Sequence, residues 1–150
     1  MATRHTARGI VLHNKQLLLI ERWRPGMHYF SIPGGAIEPG ETPEKTTVRE
    51  ILEETSCTVA VERLLYQLTS PDGNEHYIFL CNFISGEPKL TPDSPEALNN
   101  DLNNQFKPRW INQGELAELP SNIWQPVFQQ LAQDLNAGFV DTVQTLAWNG

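Results

Sequence analysis

The segment from Gly34 to Val59 constrains this chain more than any other part of its sequence. It begins with two glycines and then a Pro-Gly pair, which indicate a tight loop. Thr42 can cap a helix, and Pro43 suits the first helical position, where no amide hydrogen is needed. We therefore predict a glycine-rich loop followed by a helix that runs to about Thr55.

The predicted helix separates apolar from charged side chains. At about 100° per residue, its apolar side comprises Val48, Ile51, Leu52 and Thr55. Glu50, Glu53 and Glu54 fall on the opposite side, and like charges at this spacing destabilise an isolated helix by roughly 0.2–0.5 kcal/mol per pair. Water and salt could offset this repulsion, and so could a divalent cation with oxygen ligands. Helix physics alone leaves both interpretations open.

Loop and helix together carry glycine and charged residues at fixed spacing. The pattern is G-x5-E-x7-R-E-U-x-E-E, where U is a bulky aliphatic residue, and it is formed here by Gly35, Glu41, Arg49, Glu50, Ile51, Glu53 and Glu54. This pattern resembles the Nudix box of the Nudix (MutT-related) hydrolases, which here would span residues 35–57. The match departs from the box only at its end, where Ser56 stands in place of a glycine and Cys57 in place of an aliphatic residue.

The resemblance implies a single Nudix hydrolase domain over residues 1–150, with an α/β/α sandwich fold around a mixed β-sheet. The rest of the sequence fits an α/β fold independently. Hydrophobic patterns predict strands over residues 6–13, 16–23, 29–33, 58–69, 77–85 and 109–111, and further helices over 113–119 and 124–136. The tail, residues 139–150, either packs across the body or contacts another chain, as in a homodimer.

The resemblance also implies a reaction and its cofactor. It implies a hydrolase, dependent on Mg²⁺ or Mn²⁺, that cleaves a pyrophosphate bond in a nucleoside diphosphate linked to another group. Divalent ions neutralise the diphosphate and lower the pKa of bound water, which attacks phosphorus. The metal ligands that the resemblance implies are Glu50, Glu53, Glu54 and the Gly35 carbonyl. Arg49 and Glu41 would pair and position the helix against the loop.

Two arginines outside the box are candidate substrate ligands. Arg22 and Arg24, with His28, precede the glycine loop, and the resemblance places this connection near the substrate. Guanidinium groups suit phosphate oxygens because they donate in a planar fork. We predict that Arg22 and Arg24 bind substrate; the alternative is that they only keep the surface soluble.

A free carboxylate is also required as general base. The long polar connection over residues 86–107 is typical of binding loops or lids. Some Nudix relatives carry an acidic residue here that assists the metal or activates water. Glu96 is the leading candidate for this role, followed by Asp93 and Asp101.

The composition limits which partners and which cellular location we expect. The formal net charge is −7, and a chain this acidic is a poor general binder of duplex nucleic acid, although a nucleotide can be its substrate. Cys57 and Cys81 lack metal-binding or redox spacing, which favours reduced thiols in a cytoplasmic protein. No apolar run approaches 18 residues and no signal peptide is evident, so we expect no membrane segment.

Two other functional classes share the box. A non-catalytic, nucleotide-sensing Nudix domain is one, and the intact glutamates argue against it. A prenyl-diphosphate isomerase is the other; it needs a separately placed acid or thiol, and Cys57 and Cys81 are badly placed for that role. The sequence does not identify the substrate, the preferred metal or the general base.

Overall fold

A computed structural model describes residues 3–90 and 104–148. Glu96, Asp93 and Asp101 lie outside these described residues, so their roles stay predictions. The strands are β1 (His5–His13), β2 (Gln16–Arg24), β3 (Met27–Ser31), β4 (Gly34–Ala36), β5 (Thr58–Thr69), β6 (Glu75–Ser85), β7 (Gln105–Asn112) and β8 (Gln144–Ala147). The helices are α1 (Pro43–Thr55), α2 (Gln125–Ala137) and a 3-10 helix over Gln113–Glu118.

The strands form one mixed sheet. Its main order is β3-β2-β1-β6-β5-β8, with β4 paired to β1 and β7 to β2. The β1–β6 and β5–β8 pairs are parallel, and the other pairs are antiparallel. The predicted α/β fold with a mixed sheet is therefore confirmed.

The first predicted hairpin is only a short one. β1 and β2 pair through Leu12 with Leu17 and His13 with Gln16, and then separate. The separation leaves the edge of β1 free for β4, where Arg8 lies opposite Gly34. It also leaves residues 20–24 of β2 free to pair with β3, while β7 pairs along the opposite edge of β2. The splayed hairpin thereby opens a space between β1 and β2 at the glycine loop.

Hydrophobic side chains fill both faces of the sheet. Val127, Phe128 and Leu131 of α2 are buried in one cluster, and Ile51 of α1 is buried in the other. This arrangement gives the helix–sheet–helix layering that the resemblance implies. Two parts of the α1 prediction are wrong, because Leu52 of the expected apolar side is 46% exposed and Glu54 of the expected charged side is only 8% exposed. The buried side of α1 instead includes Thr46, Thr47, Ile51, Glu54 and Thr55.

Two further features concern the cysteines and the length of the helices. Cys57 and Cys81 are buried free thiols, and burial raises the pKa of Cys81 to about 12. Among the described residues, neither α-helix has the length and apolar character needed to cross a bilayer.

Candidate active site

Two consecutive glycines bring the loop against β1 and α1. Gly34 has a φ of 153°, and a side chain there would overlap the backbone of Ala7 and Arg8 on β1. A Cβ atom at Gly35 would lie 2.5 Å from Cδ of Glu50 on α1. Gly34 accommodates no side chain, because its positive φ and its close approach to the backbone both require glycine, whereas a side chain at Gly35 would require the Glu50 carboxylate to move. The loop is therefore closely packed between the strand and the helix.

The carboxylate of Glu54 is held by this loop. Its Oε1 atom accepts a hydrogen bond from the backbone N–H of Gly34 at 3.0 Å, and the residue is 8% exposed. Glu50 lies one helical turn earlier, with a side chain that is 13% exposed. Both glutamates line the same cleft, whereas Glu53 is 37% exposed and is not among its lining residues.

Arg49 lies among the acidic side chains and ties them together. Its Nε and Nη2 atoms donate to the two carboxylate oxygens of Glu41 at 2.7 and 2.9 Å, and Nη1 donates to Glu50 at 2.9 Å. Nη1 also lies 3.5 Å from Oε1 of Glu53. The hydrogen bond from Arg49 lowers the pKa of Glu41 to about 2. A guanidinium from the chain itself thus offsets much of the repulsion expected between the glutamates.

The donor chemistry of this cluster fits a hard divalent cation. Carboxylate and carbonyl oxygens are the ligands that Mg²⁺ and Mn²⁺ prefer. Gly35 gives its backbone close access to the Glu50 carboxylate. Within residues 3–90 and 104–148, however, no three acidic, His or Cys side chains are already grouped as metal ligands. A cation shared by Glu50, Glu53 and Glu54 would therefore require their side chains to turn from Arg49 and Gly34.

The cleft beside this cluster is lined by side chains of both charges and has a volume of about 300 Å³. Its acidic residues are Glu38, Glu50 and Glu54, which we call the acidic wall. Its basic residues are Arg4, Arg8 and Arg22, which we call the basic wall. Phe106 of β7 contributes an aromatic surface beside them. A cation and a phosphorylated ligand could bind side by side in such a cleft.

The two predicted substrate arginines differ in position. Arg22 lines the cleft, where Nη2 donates to Oδ1 of Asn104 at 2.7 Å and the guanidinium lies 3.6 Å from the ring centre of Phe106. Arg24 is exposed at the end of β2 and is not among the lining residues. His28 also lies apart from the cleft lining, hydrogen-bonded to Glu21 at 2.7 Å and stacked on Trp23.

Sequence reasoning missed several residues of the cleft, among them Arg4, Arg8 and Phe106. Arg8 carried a signal, because it is a charged residue inside a strand that otherwise reads as apolar. Arg4 and Phe106 carried none, since their place depends on β1 and β7 flanking the same opening. The splayed hairpin, which no local pattern indicates, creates that opening.

Comparison with known proteins defines the class. The NUDIX domain family matches residues 3–131. The fold agrees with a NUDIX hydrolase from Nitrosomonas europaea, with a TM-score of 0.75 at 15% identity over 99% of this chain and 81% of that one. It also agrees with an ADP-ribose pyrophosphatase from Streptococcus suis, with a TM-score of 0.67 at 18% identity over 99% and 100% of the two chains. The chain belongs to the NUDIX domain family, as its box predicts.

Two relatives have names that state an activity. The chain is 40% identical over 102 residues to an ADP-ribose pyrophosphatase from Methanocaldococcus jannaschii, a match that covers 64% of this chain and 60% of that protein. It is 28% identical over 137 residues to a putative 8-oxo-dGTP diphosphatase from Bacillus subtilis, covering 89% and 85% of the two chains. The match to the first relative thus spans less than two thirds of its length.

Proposed function

We propose that this chain is a Mg²⁺- or Mn²⁺-dependent pyrophosphohydrolase of a nucleoside diphosphate linked to another group, acting as one domain over residues 1–150. The observation that carries the proposal is the cleft whose lining combines Glu50 and Glu54 with a group of arginines. The names of the two relatives, an ADP-ribose pyrophosphatase and a putative 8-oxo-dGTP diphosphatase, support the same reaction class.

The acidic wall would hold the cation. Glu50, Glu53, Glu54 and the Gly35 carbonyl would be its ligands, and the bound cation would neutralise diphosphate charge and lower the pKa of attacking water. The bidentate contact between Arg49 and Glu41 fixes α1 against the loop. It therefore keeps α1 and the loop together whether or not a cation is bound.

The basic wall would hold the diphosphate. Arg22 would donate to phosphate oxygens, and its contact with Phe106 keeps the guanidinium in the cleft. Water then forms a bond to one phosphorus as the bridging P–O bond breaks and the second phosphoryl group leaves. The proton lost by water passes to a free carboxylate, from the box or from the long polar connection, where Glu96 is the candidate.

A substrate screen tests the proposed activity. Purified protein is incubated with ADP-ribose, 8-oxo-dGTP and a panel of nucleoside triphosphates and diphosphate derivatives, with Mg²⁺ and with Mn²⁺. We expect turnover of at least one compound to a nucleoside monophosphate, and no cleavage of duplex DNA. An untouched panel would contradict hydrolysis and favour a nucleotide-sensing domain.

Metal-linked melting tests the ligand set independently of turnover. A cation at about 100 times its dissociation constant stabilises the folded state by roughly 2.7 kcal/mol, so Mg²⁺ or Mn²⁺ should raise the melting temperature. Glu53→Gln and Glu54→Gln should shrink this rise and lower kcat by about 10²-fold or more. Glu44→Gln is the matched control, because Glu44 is exposed on the first turn of the same helix. If all three variants behave alike, the metal assignment is wrong.

A further inference from the structure

Arg8 occupies an unusual place for a charged residue. It lies on the central strand β1, in a run whose neighbours Ala7 and Ile10 have 0% exposure. Its Nη1 atom donates to the carbonyl oxygen of Ile32 at 2.8 Å, and Nε donates to Oγ1 of Thr6 at 3.3 Å. Its Cζ atom lies 4.4 Å from the ring centre of Trp124. The strand, the loop and the ring together fix the plane of this guanidinium.

The guanidinium nevertheless keeps donors available. Among the described residues, Nη2 of Arg8 makes no hydrogen bond, and no carboxylate lies within 4.0 Å of its nitrogen atoms. Glu54 and Glu50 are the acidic groups that act on its charge, from the other wall of the cleft that Arg8 lines. A partly buried cation without a direct ion pair is costly to desolvate unless an anion binds to it. The site therefore suits an anionic ligand.

A buried chain of hydrogen bonds supports Arg8 from behind. Oγ1 of Thr6 lies 2.6 Å from Nδ1 of His76, and Nε2 of His76 lies 3.0 Å from Oγ of Ser70. Ser70 donates in turn to the carboxylate of Asp72. Thr6, Ser70 and His76 are all buried, with 3%, 4% and 3% exposure. We name Thr6, His76, Ser70 and Asp72 the support chain.

The direction of every proton in the support chain follows from its acidic end. A carboxylate only accepts, so the single hydroxyl hydrogen of Ser70 points to Asp72 and Nε2–H of His76 must donate to Ser70. Burial keeps His76 neutral, since it lowers the pKa of the imidazole to about 4. Nδ1 therefore accepts from the Thr6 hydroxyl, whose oxygen is left to accept from Nε of Arg8. Each group has one fixed role, and the last of them orients Arg8.

We propose that Arg8 binds a phosphate group of the substrate and that Thr6 and His76 are positioning residues that hold its guanidinium toward the cleft. This inference rests on the proposed function and adds a substrate ligand to it. Nη2 and the second hydrogen of Nη1 form the donor edge that would meet two phosphate oxygens. The diphosphate would then lie between Arg8 and the glutamates that hold the cation.

Calorimetry with imidodiphosphate, a diphosphate analogue that resists hydrolysis, tests the role of Arg8 in the presence of Mg²⁺. We expect the intact protein to bind it and Arg8→Met to bind it at least about tenfold more weakly, because charge-assisted hydrogen bonds are lost. Arg8→Lys, which keeps the charge without the fork, should fall between the two. Tyr66→Phe is the control for a lost buried hydroxyl, since Tyr66 bonds to Asp134 away from the cleft. It should lower the melting temperature without changing the affinity.

A double-mutant cycle tests the support chain. Thr6→Val removes the hydroxyl and should weaken imidodiphosphate binding by about threefold to tenfold, whereas Thr6→Ser should restore it. In the Arg8→Met background, Thr6→Val should have no further effect on affinity, because Thr6 acts only through Arg8. A purely structural role for Thr6 would give the same loss in both backgrounds.

Each outcome separates the inference from the proposed function. If the intact protein does not bind imidodiphosphate, or if Arg8→Met binds it equally well, Arg8 is not a phosphate ligand. Either result can coincide with full turnover in the substrate screen, which would leave the hydrolase assignment standing. An additive Thr6 effect would overturn the positioning role alone.

Discussion

At the residue scale, His76 links the stability of the molecule to pH. The folded imidazole has a pKa of about 4, against 6.5 when exposed, because burial disfavours its charged form. Between these values the unfolded chain binds more protons, so stability rises with pH and is lost as pH falls from about 6.5 toward 4. We expect the free energy of unfolding to decrease by about 2 kcal/mol between pH 7 and pH 5 from this residue alone.

Urea denaturation at a series of pH values checks this expectation. His76→Gln should be less stable at pH 7 and should show a flatter dependence down to pH 5. Glu41, with a pKa of about 2, adds its own dependence only below about pH 4.5, outside this window. His5→Gln changes an exposed histidine on the same strand pair and should keep the slope of the intact protein. Parallel curves for all three proteins would mean that His76 is not the responsible group.

The spacing of the box predicts the residue contacts that lie close in sequence. Glu41 and Arg49 are eight positions apart and are separated only by the cap and the first turns of α1, so their pairing follows from the pattern. The roles of Arg8 and His76 are different, because the Thr6–His76 hydrogen bond joins residues 70 positions apart. A single sequence carries no signal for that contact, although a charged residue in an apolar strand does mark Arg8 as unusual.

At the element scale, the C-terminal end of α1 retains a departure from the family pattern. Ser56 adopts a left-handed conformation with φ of 63° and ψ of 15°, as expected for the position of a family glycine. Its hydroxyl also donates to the carbonyl oxygen of Lys89 at 2.8 Å. The hydrogen bond opposes the cost of the left-handed backbone, so Ser56→Gly alone should stabilise the protein by less than the roughly 1 kcal/mol of strain.

Two substitutions at Ser56 separate these effects. Ser56→Ala loses the hydrogen bond and keeps the left-handed strain, so it should be destabilising. Ser56→Gly loses the same bond but relieves the strain, and it should be more stable than the alanine variant by about 1 kcal/mol. Thermal and urea unfolding provide the comparison. Equal stability of the two variants would show that the helix end relaxes away from this conformation.

Elements with a strong hydrophobic periodicity were predicted well, whereas short strands that form only by pairing with a neighbouring strand were not. α1, α2 and the β5–β6 hairpin match their patterns closely. β4 and β8 were missed because each is short and gains its strand geometry from a neighbour, β1 or β5. Leu52 was misplaced because its position on the wheel lies at the margin of the apolar stripe. The threonines of α1 take the buried positions there instead.

At the scale of the whole molecule, a buried carboxylate secures the tail. Asp134 of α2 is 5% exposed and accepts hydrogen bonds from Tyr66 at 2.5 Å and from Gln130 and Gln144 at 3.1 Å. Gln144 lies on β8, which pairs in parallel with β5. Residues 144–147 therefore pack on the body of the protein, which is one of the two alternatives that the sequence leaves open for the tail. The homodimer stays a prediction.

Removal of one tail donor should weaken this attachment. Gln144→Ala leaves Asp134 with two donors, and we expect it to lower the free energy of unfolding by about 1 kcal/mol. Thr145→Ala, at the next and exposed position of the same strand, is the matched control and should have little effect. Equilibrium urea unfolding distinguishes the two. Identical losses would assign the effect to the strand backbone and not to the contact with Asp134.

The parallel pairing of β1 with β6 also sets the order in which the molecule can be assembled. Residues 5–12 pair with residues 75–82, so their contact must wait for a long loop to close, whereas the β5–β6 hairpin forms from neighbouring segments. Arg8 reaches its support chain only when this closure occurs, because Thr6 and His76 lie on the two strands that meet. We therefore expect the basic wall of the cleft to form late in folding, and a nascent chain has no complete site until β7, which carries Phe106, has left the ribosome.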